Sequence, residues 1–399
     1  MIYNLTCFNA LIDFTNEGIM MYRFRAYITP LIVLFGIIGN ILVIIIFIKM
    51  QKKSSCRFNC YIIGITIAHI MELIFNAFLD DFIGRGLAWL TNCNINIKLD
   101  TYSLILCKIL SYIPETSGII STNVLILFSI DRIITVFNPI KFRGDRYLYI
   151  TYIGILSIYI IGIILYLPTA IHSGIVLNSN NYTICQFVDP LKFSVQYNLY
   201  LSNIGATIIP TIIAFITTII ITLKLRRLFK ERYIMCQYYD RHNNSNELRR
   251  IAGHLTMTTI FFILNIPLII VVLLRQHSDY SYYHLIYPNY TNQLKHLSKL
   301  FSSIKSINAA MEFPTFFIFL SSFRQHFYYL CCHKKKQKKT NLKDIFKLNN
   351  IQEKWKIILK RNYVKSDTTT TTNTNTNNNN NNNNNRSMDK IYHTNRNVQ

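Results

Sequence analysis

Seven apolar stretches run through this chain, and their length restricts the folds open to it. An α-helix of about 20 apolar residues crosses roughly 30 Å of hydrocarbon. The composition agrees, because 51% of the 399 residues are hydrophobic and only 15% are charged. The sequence therefore predicts an all-α membrane protein, a bundle of seven transmembrane helices. The predicted spans are 27–48, 61–83, 104–130, 148–171, 197–223, 252–274 and 296–320.

Basic residues are concentrated in the connections that follow the first, third and fifth spans. Such residues resist translocation during membrane insertion, so these connections should be cytoplasmic. The N-terminus should then lie outside the cell, at the plasma membrane. Three glycosylation sequons fall on the predicted outer side and agree with this orientation. Their candidate acceptors are Asn4, Asn181 and Asn289.

The formal net charge of +23 does not indicate a nucleic-acid partner. The basic residues flank the membrane or lie in the tail, so membrane lipid headgroups are the expected partner. No metal-spaced His and Cys cluster, phosphate loop or activated nucleophile is recognisable, and we expect neither an enzyme nor a cofactor. Ionisable residues within the spans leave ion or proton transport open as an alternative, although they show no repeat symmetry.

An acid–base pair, Asp131 and Arg132, followed by Ile133, ends the third apolar run, and Cys107 lies near the other end of that run. Two ionisable groups at a membrane boundary are costly unless they satisfy each other, so we interpret the pair as a two-state latch. Pro210 and Pro267 lack a backbone donor and weaken spans five and six locally. This suits the bending that a switch requires, although the prolines by themselves equally indicate ordinary helix kinks.

In order and spacing, these motifs resemble those of the rhodopsin-like (class A) G-protein-coupled receptors. The positions that carry the resemblance are Gly39-Asn40 with Val43, Asp131-Arg132-Ile133 with Val136, Pro139 and Ile140, then Pro210, Phe261 with Pro267, and Phe323-Arg324. The resemblance covers about residues 27–332 and implies an extracellular ligand and a heterotrimeric G protein. It also implies that Asp131 releases Arg132 when span six swings out.

The resemblance further implies a disulfide between Cys107 and Cys185, and Cys7 with Cys93 is a second candidate pair. It predicts four segments in the chain. They are an extracellular N-terminus over 1–26, a seven-transmembrane receptor domain over 27–322, an amphipathic membrane-surface helix over 323–332, and a basic, Asn/Thr-rich cytoplasmic tail over 333–399.

Several positions depart from the family pattern. His69 stands where the family has an aspartate in span two, Asn265 replaces the tryptophan of span six, and Thr218 replaces the tyrosine of span five. We therefore expect weak or absent sodium modulation, because neutral imidazole carries no negative charge. Glu312 occupies the degenerate span-seven motif; it either shares a proton with His69 or is hydrogen-bonded elsewhere within the bundle.

The ligand is narrowed mainly by exclusion. Pro114 occupies the position of the amine-binding aspartate of aminergic receptors, and Lys305 lies one or two residues from the retinal-linked lysine of opsins, so its side chain should face elsewhere. Spans six and seven resemble those of invertebrate FMRFamide-like and related neuropeptide receptors. The resemblance favours an RFamide-like neuropeptide, with a non-peptide ligand as the alternative.

A peptide with a basic residue near an amidated C-terminus needs carboxylates that face the outer cavity. The candidate ligand-binding residues are Glu115, Tyr112, Asp80, Asp81, Gln186 and Phe187. Two other interpretations of these carboxylates remain open. In the first, Glu115 forms an ion pair with a lysine such as Lys108 or Lys299. In the second, Asp80 and Asp81 form a solvated helix end.

The tail carries two further features. Cys331 and Cys332 lie beside a run of lysines, which is typical of a palmitoylated second membrane anchor. The Thr-rich run after residue 367 either recruits arrestin once phosphorylated or reflects repeat expansion. With no apolar residue to bury, residues 366–385 should be disordered.

Overall fold

A computed structural model describes residues 15–137, 145–177, 183–188, 197, 200–235, 241–280 and 286–331. The chain divides into two compact units, Met1–Cys331 and Cys332–Gln399, and the second lies wholly outside the described residues. The predictions for Asn4, Pro139, Asn181 and Cys332, for the side chain of Cys331 and for the tail therefore fall outside them as well.

Six helices in the described part are long and apolar enough to cross a membrane, and they match the first six predicted spans. We number them α1 (Asn16–Lys53), α2 (Arg57–Leu90), α3 (Leu104–Phe137), α4 (Asp145–His172), α5 (Ile209–Met235) and α6 (Arg241–Tyr280). A π-helical segment, Leu201–Ile208, precedes α5.

The first helix begins earlier than the apolar pattern predicts. Thr15 caps it, because its hydroxyl oxygen accepts a hydrogen bond from the Gly18 amide across 3.2 Å. Residues 16–26 are therefore helical and belong to α1, and only the preceding part of the predicted N-terminal segment lies before that helix.

The seventh span is built from two helices, α7 (Pro288–Ala310) and α8 (Glu312–Phe319). Pro314 lacks the N–H that would bond the Ala310 carbonyl, which explains why the helical ladder is interrupted at Met311. Polar residues such as Lys295, Lys299 and Lys305 make α7 less apolar than the other spans. A further helix, α9 (Ser321–Cys331), follows, close to the predicted membrane-surface segment.

Aromatic rings form the core near α9. Phe47 and Phe316 are fully buried, with ring centroids 5.1 Å apart, and Phe323 of α9 lies 5.7 Å from the Phe47 ring. Outward apolar residues are exposed instead; Leu156 and Ile164 of α4 are each 61% exposed. An outward apolar belt over a buried core is what a helix bundle in lipid requires.

A β-hairpin covers one end of the bundle. Strands β1 (Ser173–Leu177) and β2 (Thr183–Phe187) pair antiparallel, with Ile175 opposite Cys185. The predicted disulfide between Cys107 and Cys185 is present and joins β2 to the start of α3. Cys93 is also disulfide-bonded, while its suggested partner Cys7 lies outside the described residues. We call this end the disulfide end and the opposite one the Asp131 end.

Candidate functional site

A cluster of ion pairs lies at the Asp131 end. Arg132 Nη2 donates to Asp131 Oδ2 across 2.5 Å, and both residues are buried. Arg57, at the start of α2, binds the other carboxylate oxygen, with Nη1 2.5 Å from Asp131 Oδ1. Arg57 Nη2 also donates to Thr135 Oγ1 across 3.3 Å. The predicted Asp131–Arg132 pair is therefore present, but the carboxylate is shared between two guanidinium groups.

Aromatic faces surround the Arg132 guanidinium on its other sides. Its central carbon lies 5.3 Å from the ring centre of Phe128 and 5.8 Å from that of Phe58. On α6, the His254 ring stacks edge-on against Phe128, with centroids 4.3 Å apart. Cation–π contact stabilises an arginine that is removed from water. The cluster thus keeps Arg132 inside the bundle, while Ile133 beside it is half-buried.

The predicted switch residues of α6 lie deeper. Phe261 is 1% exposed, and Asn265 Nδ2 donates to its carbonyl across 2.7 Å. Pro267 lies inside α6 and has no N–H for the Ile263 carbonyl, so the helix is weakened at this turn. Their packing is compatible with bending here, and their role in switching stays a prediction.

A buried polar cluster joins α2 to α8. His69 Nδ1 lies 2.7 Å from Glu312 Oε1, and Thr66 Oγ1 donates to Oε2 of the same carboxylate. A void of about 10 Å³ adjoins the pair, with Ser121 in its wall. That is roughly the space that one water molecule needs. The structure thus has the proximity that the sequence suggests for His69 and Glu312.

The disulfide end opens into a cavity with two lobes. The outer lobe, of about 270 Å³, is lined by Asp80, Glu115, Gln186 and Phe187. Four of the six candidate ligand residues are therefore brought together. The inner lobe, of about 310 Å³, shares Glu115 in its wall and also contacts Gly118. Pockets of this size suit a small ligand or the end of a larger one.

Asp81 is neither a solvated helix end nor part of this cavity wall. It is 3% exposed and pairs with Arg25 of α1, with Nη2 2.9 Å from Oδ1. Asp80 pairs with Arg85 across 2.8 Å. Burial raises the pKa of the nearby Asp100 carboxyl, and the negative charge of Asp80 raises it further. Arginines thus neutralise much of the acidic charge near this end.

Tyr112 is directed away from the cavity. Its hydroxyl donates to the Ile163 carbonyl of α4 across 2.9 Å, and Ile163 is itself 48% exposed on the outer surface. Tyr112 lines neither lobe. In this arrangement Tyr112 faces α4 and not the cavity, and its stacking on a ligand stays a prediction.

Lys305 lines the inner lobe, contrary to the prediction that its side chain faces elsewhere. Glu72 of α2 and Lys299 of α7 line the same lobe, with Arg275 of α6. The cavity therefore contains charges of both signs.

This arrangement of helices and charges agrees with a known family of proteins. The family described as "7 transmembrane receptor (rhodopsin family)" matches this chain over residues 39–312, from the Gly39-Asn40 motif to Glu312. The chain belongs to this family of receptors. The predicted class A resemblance is thereby confirmed, and the family comprises receptors, not enzymes.

Three relatives show how far the similarity extends. A Gq-coupled rhodopsin of Mizuhopecten yessoensis is 24% identical over 326 residues, 79% of this chain and 62% of that protein. Somatostatin receptor type 1 of Rattus norvegicus is 21% identical over 45% of this chain and 44% of its own. Melanin-concentrating hormone receptor 2 of Macaca fascicularis is 25% identical over 42% of this chain and 46% of its own length. The matches thus span less than two thirds of each relative.

Two arginines of this receptor have acidic partners that the sequence does not identify. Arg57 lies in the basic connection after the predicted first span and binds Asp131, and Arg25 lies two residues before that predicted span and binds Asp81. Arg25 Nε also donates to Ser303 across 2.9 Å, which joins α1 to α7. An arginine that borders an apolar run indicates an acidic partner within the bundle, and the position of Arg25 beside the first predicted span is such a signal.

Proposed function

We propose that this receptor lies in the plasma membrane with its N-terminus outside and is activated by an extracellular neuropeptide that carries a basic side chain. It passes the signal to a heterotrimeric G protein, with arrestin as a further partner. Transport of ions or protons and a non-peptide ligand are the competing functions.

The cavity at the disulfide end is the observation that carries this proposal. Glu115 lies in the wall of both lobes, and Glu72 adds a second carboxylate to the inner one. A guanidinium or ammonium group binds such carboxylates through charge-assisted hydrogen bonds. Gln186 and Phe187 lie in the outer lobe, where they would contact the rest of a peptide.

The Asp131 end supports the signalling part of the proposal. Arg132 is 5% exposed and ion-paired, so a partner protein can contact it only after a rearrangement. A ligand drives that rearrangement to the extent that it binds the open state more tightly. The cavity and the ion pair are thus the two ends of one proposed switch.

Exposed groups support the proposed orientation. Asn289 is exposed at the start of α7, on the disulfide end, where glycosylation requires access from outside. Lys52 and Lys53 are exposed at the end of α1, on the opposite side, as expected for a cytoplasmic connection. Palmitoylation of Cys331 and Cys332 and glycosylation of Asn4 and Asn181 belong to the same proposal.

Two of the three relatives favour a peptide among the ligands of this family. They are named as receptors for somatostatin and for melanin-concentrating hormone, which are peptides. Both matches cover less than half of this chain, so the argument for a peptide rests chiefly on the carboxylates of the cavity.

A screen of calcium and cyclic-nucleotide responses tests the proposal. Cells that express the receptor are exposed to basic neuropeptides, with Arg132→Ala, Glu115→Gln and, as a matched control outside the cavity, Glu17→Gln. We expect a response that Arg132→Ala abolishes and Glu115→Gln shifts to higher concentration, while Glu17→Gln leaves it unchanged. No response despite surface expression would contradict the peptide proposal, and a current without ligand would favour transport.

The position of Lys305 favours a second candidate, a light receptor. A lysine in the inner lobe is available for a Schiff base with retinal, and the match to a rhodopsin covers 79% of this chain. Purified receptor is incubated with 11-cis-retinal and its visible absorption is recorded. A visible band that Lys305→Ala removes would support this candidate, whereas unchanged free-retinal absorption would exclude it.

A further inference from the structure

The charges of the inner lobe point to a more specific ligand than a basic peptide. We infer that the ligand presents a free carboxylate together with a cationic side chain, as a peptide does when it ends in an unamidated, basic C-terminal segment. This inference rests on the proposed function and names the chemistry of its ligand. It departs from the amidated C-terminus that the sequence alone favours.

The first step is to separate charges that are already neutralised from those that are not. Asp81 is bound by Arg25 at 2.9 Å and Asp80 by Arg85 at 2.8 Å. These carboxylates are satisfied within the protein, so they contribute little to the selection of a ligand.

Glu72 and Lys305 are different. Both line the inner lobe, and neither side chain forms a hydrogen bond or an ion pair within 4.0 Å among the described residues. Glu72 is only 7% exposed. A buried charge without a partner is costly, and within a membrane bundle such groups usually mark a binding site or an ion path. A ligand that supplies both opposite charges would satisfy the pair.

Lys299 extends the cationic side of the lobe. Its ammonium group also lacks a hydrogen bond or ion pair in the described part of the chain, although its carbonyl accepts from Arg25 Nη2 across 3.4 Å. The two lysines lie on α7, while Glu72 lies on α2. The lobe therefore offers a site for an anion on one wall and a site for a cation on another.

This division distinguishes a free acid from an amide. A C-terminal carboxylate forms charge-assisted hydrogen bonds with Lys305 or Lys299, and a neighbouring guanidinium does so with Glu72. An amidated C-terminus has no negative charge, so it would leave both ammonium groups buried by the ligand without a counter-ion. The same dipolar chemistry occurs in free arginine, which the experiment must separate from a peptide.

Two pools of pentapeptides with arginine at either of the last two positions, identical except for a free or amidated C-terminus, provide the probes, with L-arginine alone as a third. G-protein activation is measured in cells that express the full chain. We expect the free-acid pool to act at concentrations roughly tenfold or more below the amide pool, which corresponds to the loss of one charged contact. Free arginine should be inactive because it fills only part of the cavity.

Variants distinguish a role of the two charged groups in ligand binding from a role in the stability of the fold. Lys305→Gln and Glu72→Gln should each shift the free-acid response to higher concentration by roughly tenfold or more, while Lys305→Arg and the exposed control Lys53→Gln should retain it. Lys305→Met should also raise the denaturation temperature of the ligand-free receptor, because it removes a half-buried charge that has no ion pair among the described residues. A structural role for Lys305 would lower that temperature instead.

The outcomes distinguish this inference from the proposed function. Equal or stronger action of the amide pool, or a free-acid response that survives Lys305→Gln, would overturn the free carboxylate while leaving a peptide receptor intact. Activity of arginine alone at the same concentrations would replace the peptide with an amino acid. No activation by any probe would overturn both statements.

Discussion

His69 Nδ1 and Glu312 Oε1 lie 2.7 Å apart in a buried contact between α2 and α8. These helices meet beside a water-sized void and below the charged inner lobe, whose wall includes Glu72 one turn further along α2. The contact therefore lies between the proposed ligand site and the Asp131 end. It connects two of the positions at which this receptor departs from the family pattern.

Removal of one member of this pair should destabilise the receptor more than removal of both. His69→Leu leaves the Glu312 carboxylate buried with only Thr66 as a partner, and Glu312→Leu leaves the imidazole alone. Thermal denaturation of the purified single and double variants should show a favourable coupling of about 2 kcal/mol, because the effects of substituting two side chains in direct contact are not additive. Strictly additive losses would show that the two side chains do not stabilise each other.

Loss of Arg57 should reduce signalling. Asp131 is bound by Arg57 and Arg132 at equal distances of 2.5 Å, so Arg57 can keep the carboxylate neutralised when Arg132 leaves it. Without Arg57, the Asp131–Arg132 pair should become tighter and the open state less populated. We expect Arg57→Ala to lower ligand-free G-protein activation several-fold, while Lys53→Ala, a basic residue exposed at the same end, does not. Increased ligand-free activity of Arg57→Ala would show instead that Arg57 stabilises the closed state.

Gly118 offers a way to fill the cavity without disturbing the fold. A Cβ at this position would meet no atom within 4 Å, and Gly118 lies in the wall of the inner lobe. Gly118→Leu should therefore weaken the response to ligand by roughly tenfold or more, since its side chain occupies ligand space. Gly118→Ala is the matched control and should act like the parent receptor. An unchanged response of Gly118→Leu at normal surface expression would contradict the cavity as the ligand site.

Hydrophobic length predicted the spans, and the family resemblance implied the disulfide, but neither predicted how the helices are rotated. Arg25 lies in the π-helical segment Phe24–Ile28, and Asp81 lies in the π-helical segment Leu73–Gly86. Each π turn inserts residues relative to an α-helix and rotates the following face, so a 3.6-residue pattern does not place these charges. Gly86 permits the approach, because a Cβ there would lie 2.5 Å from the Arg25 carbonyl oxygen.

Lys305 illustrates the same difficulty in the seventh span. The prediction that its side chain faces away from the retinal position holds only if the seventh span is one continuous helix. The interruption at Met311 separates α7 from α8, so positions on the two sides do not share one helical register. The Arg57–Asp131 pair was missed for another reason. Contacts between residues 74 positions apart depend on tertiary packing that a single sequence does not display.

The central claim is that the ion pair at the Asp131 end transmits ligand binding to a G protein, and nucleotide exchange tests it most directly. Membranes that contain the receptor are mixed with purified heterotrimeric G proteins, and GDP–GTP exchange is measured with and without the free-acid peptide pool. Arg132→Ala is compared with Lys53→Ala at equal receptor density. We predict peptide-dependent exchange that Lys53→Ala retains and Arg132→Ala loses. Peptide-dependent exchange of undiminished rate in Arg132→Ala would contradict the claim.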